Sequence, residues 1–448
     1  LQGRLGGAQR ALRQARVVAG DGDHPRHPRA RVQEDQPLTW VEPSSPGALA
    51  RSRLFLGAIL VVATLLLGVA AVLFQAPEMI GHEKVLTDFD AFHIAGTMAI
   101  HGHAADAYQA AKMIEAQYAI AGTRSFMPWT YPPPYTLAMM PLAHLPVGAA
   151  FLLFVSASFL FYLHVLRRIA GEYLPGVLIA ILPTLVLILR TGQNGFLTAS
   201  LIGCFLLAFQ QKRTGAGIPL GLMVIKPHLA AGIALLALLG RRWSVMAIAA
   251  AVVIAAVALS TAVFGIRIWP AFVGGVEEAS GFLAKRYYPL FRMSSIYACV
   301  GSLGGSPKLA MMAHGIVALG GVGFLLHAWR RGYAPRRLAA VACAVSLLIS
   351  PYNYDYDLTI LGLAIAFVLK DLVELARPYE MLALCALSWF VTGYGLGAHT
   401  ARLKEEAVRD LAAASGWSLT APALLLLIIA GHLILRRGDG EAGVQQRQ

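Results

Sequence analysis

Two aspartates one residue apart, in Thr87-Asp88-Phe89-Asp90, stand just beyond a long apolar run, in a polar stretch rich in His and aromatic residues. A carboxylate in that setting could act as general base on a substrate hydroxyl once it comes within hydrogen-bonding distance. The competing reading is a solvated loop acid or a helix cap. The preceding run, Leu54 to Phe74, carries no charge over about twenty residues, enough to cross a hydrocarbon core of about 30 Å as a helix. Asp88 is therefore expected at a membrane boundary.

Four other segments hold groups able to do chemistry. In Arg190-Thr191-Gly192-Gln193-Asn194-Gly195, the amides of Gln193 and Asn194 could bind sugar hydroxyls or simply satisfy turn carbonyls. Lys226-Pro227-His228 puts a cation inside an apolar segment, where a lipid phosphate or a carboxylate from another span would offset its desolvation. A lone His228 is more often a hydrogen-bonded structural residue than a ligand. Lys285, Arg286 and Arg292 accompany Tyr287, Tyr288 and Phe291, a set suited to phosphate recognition or to interfacial anchoring. Ser350-Pro351-Tyr352-Asn353-Tyr354-Asp355-Tyr356-Asp357 could bind a saccharide by stacking and carboxylate hydrogen bonds, or belong to an aromatic belt.

The elements that must position these groups are membrane helices. Of 448 residues, 57% are hydrophobic and 14% charged, with mean hydropathy +0.62. That is far on the apolar side of a soluble domain. The fold class expected is all-α, a polytopic helical membrane protein with about ten full spans and a broken or re-entrant segment around Lys226. Spanning runs lie near 54–74, 147–166, 174–189, 195–209, 243–265, 308–329, 335–350, 356–376, 379–397 and 420–435.

Net charge +13 would suggest nucleic acid in a soluble protein. Here the basic residues cluster as pairs at the ends of apolar runs, such as Arg167-Arg168, Arg241-Arg242 and Arg336-Arg337, which reads as a topology signal instead. Placing those pairs in the cytoplasm gives a disordered basic tail at 1–52, a transmembrane domain at 53–437 and a short tail at 438–448. Loops near 77–134 and 266–307 then face the extracytoplasmic side of a cell (inner or plasma) membrane. The four cysteines, Cys204, Cys299, Cys343 and Cys385, make no disulfide framework or metal spacing. No P-loop, Rossmann fingerprint, HExxH or GxSxG motif is present, which leaves nucleotide-driven pumps and zinc proteases without support.

The ordered series of Asp-Phe in the first outer loop, Tyr131-Pro132-Pro133, Gly192-Gln193-Asn194, Lys226-Pro227 and the late Ser350-Pro351-Tyr352 to Asp357 resembles glycosyltransferase family 87, over roughly residues 85–370. These are polyprenyl-phosphate-mannose-dependent mannosyltransferase-like membrane proteins of the GT-C fold. The resemblance implies transfer of a hexose, mannose above all, from a polyprenyl-phosphate donor to an extracytoplasmic acceptor hydroxyl on a lipid or glycan, with inversion. It implies Asp88 as the base, and Lys226 and Gln193 in donor binding.

Arg190, Arg286 and Arg292 join the latter as cations for the phosphate, and Asp90, Tyr131, Asn194, His228, Tyr354, Asp355 and Asp357 fall to an acceptor or secondary site. The late segment carries Tyr354-Asp355-Tyr356-Asp357 where the family has a His-containing version. No cofactor or metal is required, although the paired acids could bind a divalent ion. The alternative from the many spans and the Lys-Pro interruption is a non-enzymatic transporter or flippase of lipid-linked saccharide.

Overall fold

In the computed structural model, which describes residues 46–122, 127–406 and 416–445, a short helix Pro46–Ala50 (α1) leads into Arg53–Gln75 (α2), the uncharged run ahead of Asp88. Asp88–Ile100 (α3), Ala110–Ala121 (α4) and Pro133–Ala143 (α5) fold most of the expected first loop into helices. Then come Val147–Ala170 (α6), Leu174–Ala180 (α7), Leu182–Thr191 (α8) and Gly195–Gln210 (α9). Gly217–Leu222 (α10) and Ala231–Leu239 (α11) flank Lys226-Pro227, and Trp243–Phe264 (α12), Ile268–Ala284 (α13) and Ile296–Ser302 (α14) follow. Pro307–Arg330 (α15), Pro335–Ile349 (α16), Thr359–Leu375 (α17), Pro378–Glu406 (α18) and Thr420–Gln445 (α19) complete the order.

The all-helical expectation holds. Among the described residues, six helices are long and apolar enough to cross a membrane by themselves, and the other expected spans are shorter, α8 and α9 among them. The basic N-terminal tail lies, up to residue 45, outside the described residues, as do the last three residues of the C-terminal tail.

Polar contacts sort the helix ends into two sets. At one end, Arg51 pairs with Glu172 at 3.8 Å, and Arg336 donates to Ile169 O and Phe367 O, both at 3.1 Å. Gln210 Nε2 reaches Pro335 O at 3.2 Å, and Arg437 meets Glu380 at 2.7 Å. These ties join the basic termini of α2, α6, α9, α16, α18 and α19. At the other end, Gly148 N–H donates to Gln75 Oε1 at 3.1 Å and Thr359 Oγ1 to Gly195 O at 2.9 Å. The same helices thus carry their basic pairs at one end and the chemically interesting loops at the other.

The segment between Arg213 and Arg241 leaves and rejoins the basic end. Gly217 and Gly221 press on the Val245 and Ala249 carbonyls, so α10 climbs parallel to α12. Past Lys226, Gly232 lies on Ala342 O, and its N–H donates to Ser346 Oγ at 3.2 Å, while Gly240 comes down onto Phe209 near Arg242. Pro227 cannot continue the α10 ladder and disfavours helical geometry at Lys226, whose φ is −147°. The result is a broken re-entrant hairpin with Lys226 at its apex.

Candidate active site

Asp88 opens α3, and Phe89, fully buried, anchors that first turn. The Phe89 ring packs edge-on to Phe74 and Phe151 at 5.7 and 5.6 Å. Gly192, in left-handed conformation with φ +71°, lets the turn after α8 approach so closely that a Cβ there would sit 2.5 Å from the Phe89 Cβ. Asp90 turns inward: Oδ2 accepts from Thr87 N–H at 2.8 Å and Oδ1 from Lys84 Nζ at 2.9 Å. Lys84 also donates to Phe74 O at 2.8 Å. Burial pushes the Asp90 carboxyl above its ordinary value, with Lys84 opposing. The Asp88 side chain remains 20% exposed.

Asp355-Tyr356-Asp357 repeats this arrangement at the start of α17. Asp357 Oδ2 accepts from Tyr354 N–H at 3.1 Å, and Oδ1 receives Lys226 Nζ at 2.9 Å. Both side chains of this pair are buried, and the ammonium also lies 4.5 Å from the Tyr356 ring centre and 5.7 Å from that of Tyr131. The carboxylate supplies the counter-charge that a cation in an apolar hairpin needs. Tyr354 and Tyr356 stack at 5.3 Å with planes 7° apart.

The first acid of each motif converges on Arg292. The guanidinium grips Asp355 with two bonds, Nε to Oδ2 at 3.1 Å and Nη2 to Oδ1 at 3.2 Å, and Nη2 stands 3.7 Å from Asp88 Oδ2. Arg292 arrives there because its segment pairs with the late loop: Ser294 N–H donates to Asn353 O at 2.8 Å beside an antiparallel bridge between Met293 and Tyr354. Burial pushes the Asp355 carboxyl up, and Arg292 pulls it back. Burial works against the guanidinium's charge, but Asp355 and Asp88 outweigh it.

Tyr131 OH donates to Gln193 Oε1 at 3.2 Å, which brings the Gly-Gln-Asn turn to the same place. Burial first, then neighbours including Asp357 and Asp88, holds the Tyr131 phenol well above its ordinary value, so it stays a hydroxyl donor. Asn194 is fully buried beside the hydroxyls of Tyr131 and Tyr135. Gly195 lies directly on Tyr356 O, Thr184 Oγ1 donates to Asp355 O at 2.7 Å, and a Cβ at Gly395 would meet Asp355 Oδ2 at 2.5 Å.

Asp88, Tyr131, Gln193, Asn194, Lys226, Arg292, Tyr354, Asp355 and Asp357 therefore form one cluster, with His228 near enough to feel the charges of Asp357 and Lys226. Asp90 sits behind it on Lys84. Arg286 lies elsewhere in its loop and donates to Gly305 O at 2.8 Å, and Arg190 has an exposed side chain at the end of α8. Sequence reasoning missed Lys84, Thr184 and Gly395, while Tyr356 was named only as part of the late aromatic segment. Only Lys84 had a usable signal, as a lone cation just ahead of the paired acids. Among the described residues, no group of three or more His, Cys, Asp or Glu is placed to hold a metal.

A bundle of membrane-crossing helices enclosing a partly open carboxylate, a forked guanidinium and a buried Lys–Asp pair defines a polytopic membrane protein with a polar, anion-competent site at one end. The profile of glycosyltransferase family 87 matches residues 129–351, and the chain belongs to that family and is a glycosyltransferase. The matched segment contains Tyr131, Gln193, Lys226 and Arg292; Asp88 and Asp355 lie outside it. No curated protein and no solved structure matches the chain.

Proposed function

We propose that this glycosyltransferase moves a hexose, most simply mannose, from a polyprenyl-phosphate donor to an acceptor hydroxyl at the extracytoplasmic end of the bundle, inverting the anomeric carbon. The observation that carries this reading is the contact of Arg292 with both Asp355 and Asp88, which sets a fixed cation beside the most exposed acid of the cluster. Asp88 takes the proton of the acceptor O–H as the oxygen attacks C1. The C1–O bond to phosphate breaks, its electron pair leaves with the polyprenyl phosphate, and Arg292 offsets the charge that develops there.

Proton removal contributes about 10²–10⁴-fold. Alignment and charge stabilisation by the fixed guanidinium supply much of the rest. The Arg292 Nη1 group makes no hydrogen bond among the described residues and is the donor left for phosphate. Gln193, Tyr131 and Lys226 line the donor side, and the stacked Tyr354 and Tyr356 offer a face for the sugar or acceptor ring. The basic pairs at the opposite end support a site outside the cytoplasm, by the positive-inside rule.

The test is incubation of purified protein in liposomes with radiolabelled polyprenyl-phosphate-mannose and a lipid-acceptor extract. A labelled glycolipid formed only with the protein supports the reading. Labelled donor that crosses the bilayer with no new glycosidic bond supports a flippase instead.

A further inference from the structure

A cavity of about 650 Å³ opens between α2, α7, α17, α18 and α19, away from the Asp88 cluster. Its walls follow α17 from Leu361 to Val373 and α18 from Pro378 to Trp389. At 1.5 Å per residue those stretches are roughly 18 and 16 Å long. That is about half of a 30 Å hydrocarbon core, the depth of one leaflet. No Asp or Glu lines the cavity, and its two cations, Arg337 and Arg436, sit together at the basic end. Arg337 has Asp371 at 3.7 Å, whereas Arg436 is exposed and has no acidic partner among the described residues. Phe55, Trp389 and Leu382 at the rim are 41%, 43% and 72% exposed, so the cavity opens toward the surroundings of the bundle.

We infer that this cavity binds an anionic glycerophospholipid from the leaflet at the basic end, its phosphate at Arg436 and one acyl chain along α17. The void matches one leaflet in length, its walls are apolar, and its charge lies at one mouth only. A void of this size left empty would forfeit the dispersion contacts of its whole lining, and basic pockets between membrane helices suit anionic headgroups. A zwitterionic lipid would bring its own ammonium to the same two arginines. The inference rests on this cavity and its charges, and it is independent of the transfer reaction.

The test uses the full chain in nanodiscs of phosphatidylcholine doped with phosphatidylglycerol, with retained lipid counted by native mass spectrometry. Phosphatidylglycerol should be retained in preference to phosphatidylcholine, and Arg436→Gln should lower that retention at least tenfold with glycosyl transfer unchanged. Ala58→Trp, at an exposed position of α2 that lines the cavity, should evict both lipids. Equal retention of the two lipids, or retention untouched by both substitutions, overturns the inference. So does Arg436-dependent retention of added polyprenyl phosphate in place of phosphatidylglycerol, which would assign the cavity to the donor.

Discussion

Arg292 and Asp355 meet fork to fork, 3.1 and 3.2 Å apart, and the nitrogen shared with that fork stands 3.7 Å from Asp88. Planar, two-point pairing fixes the direction of the guanidinium as well as its position. Two Asp-x-Asp motifs more than 260 residues apart thus do parallel work. In each, the second acid caps its own turn and pairs with a lysine, Asp90 with Lys84 and Asp357 with Lys226, while the first acid faces Arg292.

Arg292→Lys keeps the charge and loses the fork, since an ammonium cannot make two parallel bonds to Asp355 and still face Asp88. A fall in kcat of roughly 10²-fold or more is expected, the scale for removing a transition-state donor. Guanidinium ion added to Arg292→Ala should restore part of the rate. Full activity in Arg292→Lys would assign the leaving-group charge to another cation.

Asp88→Asn is expected to lose about 10²–10⁴-fold in kcat while donor binding is kept. Single-turnover rates and donor affinity measured on the same liposomes separate the two. Near-normal turnover would remove Asp88 as base and point to another acid of the cluster.

The helical class, the re-entrant break at Lys226-Pro227 and most of the cluster were legible in the sequence, because hydropathy, Pro geometry and acid spacing are local properties. What decides between Arg286 and Arg292 is not local. Both lie in one basic, aromatic stretch, and only the pairing of Met293 with Tyr354 carries one of them to Asp355 while the other turns to Gly305. Thr184 and Gly395 support Asp355 from remote parts of the chain, and no periodicity in either helix announces it. Lys84 lies in an irregular stretch before α3, where its partner six residues on could not be read from helical spacing. The expected run 195–209 corresponds closely to α9, Gly195–Gln210, whereas the run 174–189 is divided at Ile181, just before Pro183, into α7 and α8.

Lys226→Met strands the Asp357 carboxylate in a site where that side chain is only 1% exposed. Breaking a buried pair from one side costs about 3–5 kcal/mol, against a total stability of about 5–15 kcal/mol. Lys226→Met combined with Asp357→Asn should recover most of the thermal stability, since no lone charge remains and the amide oxygen can still accept from Tyr354 N–H. Transfer should not recover with it. Recovery of both would reduce the pair to a structural role.

Asp90 allows a test of sign. Its carboxyl is raised above the ordinary 3.8 because burial outweighs Lys84. The folded protein therefore takes up that proton more readily than the unfolded chain does. The contribution to stability is fully present below the unfolded pKa and declines as pH rises through the folded value. Asn in this position does not titrate. The melting temperature of the native protein relative to Asp90→Asn should therefore fall as pH is raised from roughly 4 to 7, read by thermal unfolding in detergent. A difference that grows with pH would mean that the bond to Lys84 dominates burial, and that the ion pair holds the first turn of α3 more strongly than desolvation weakens it.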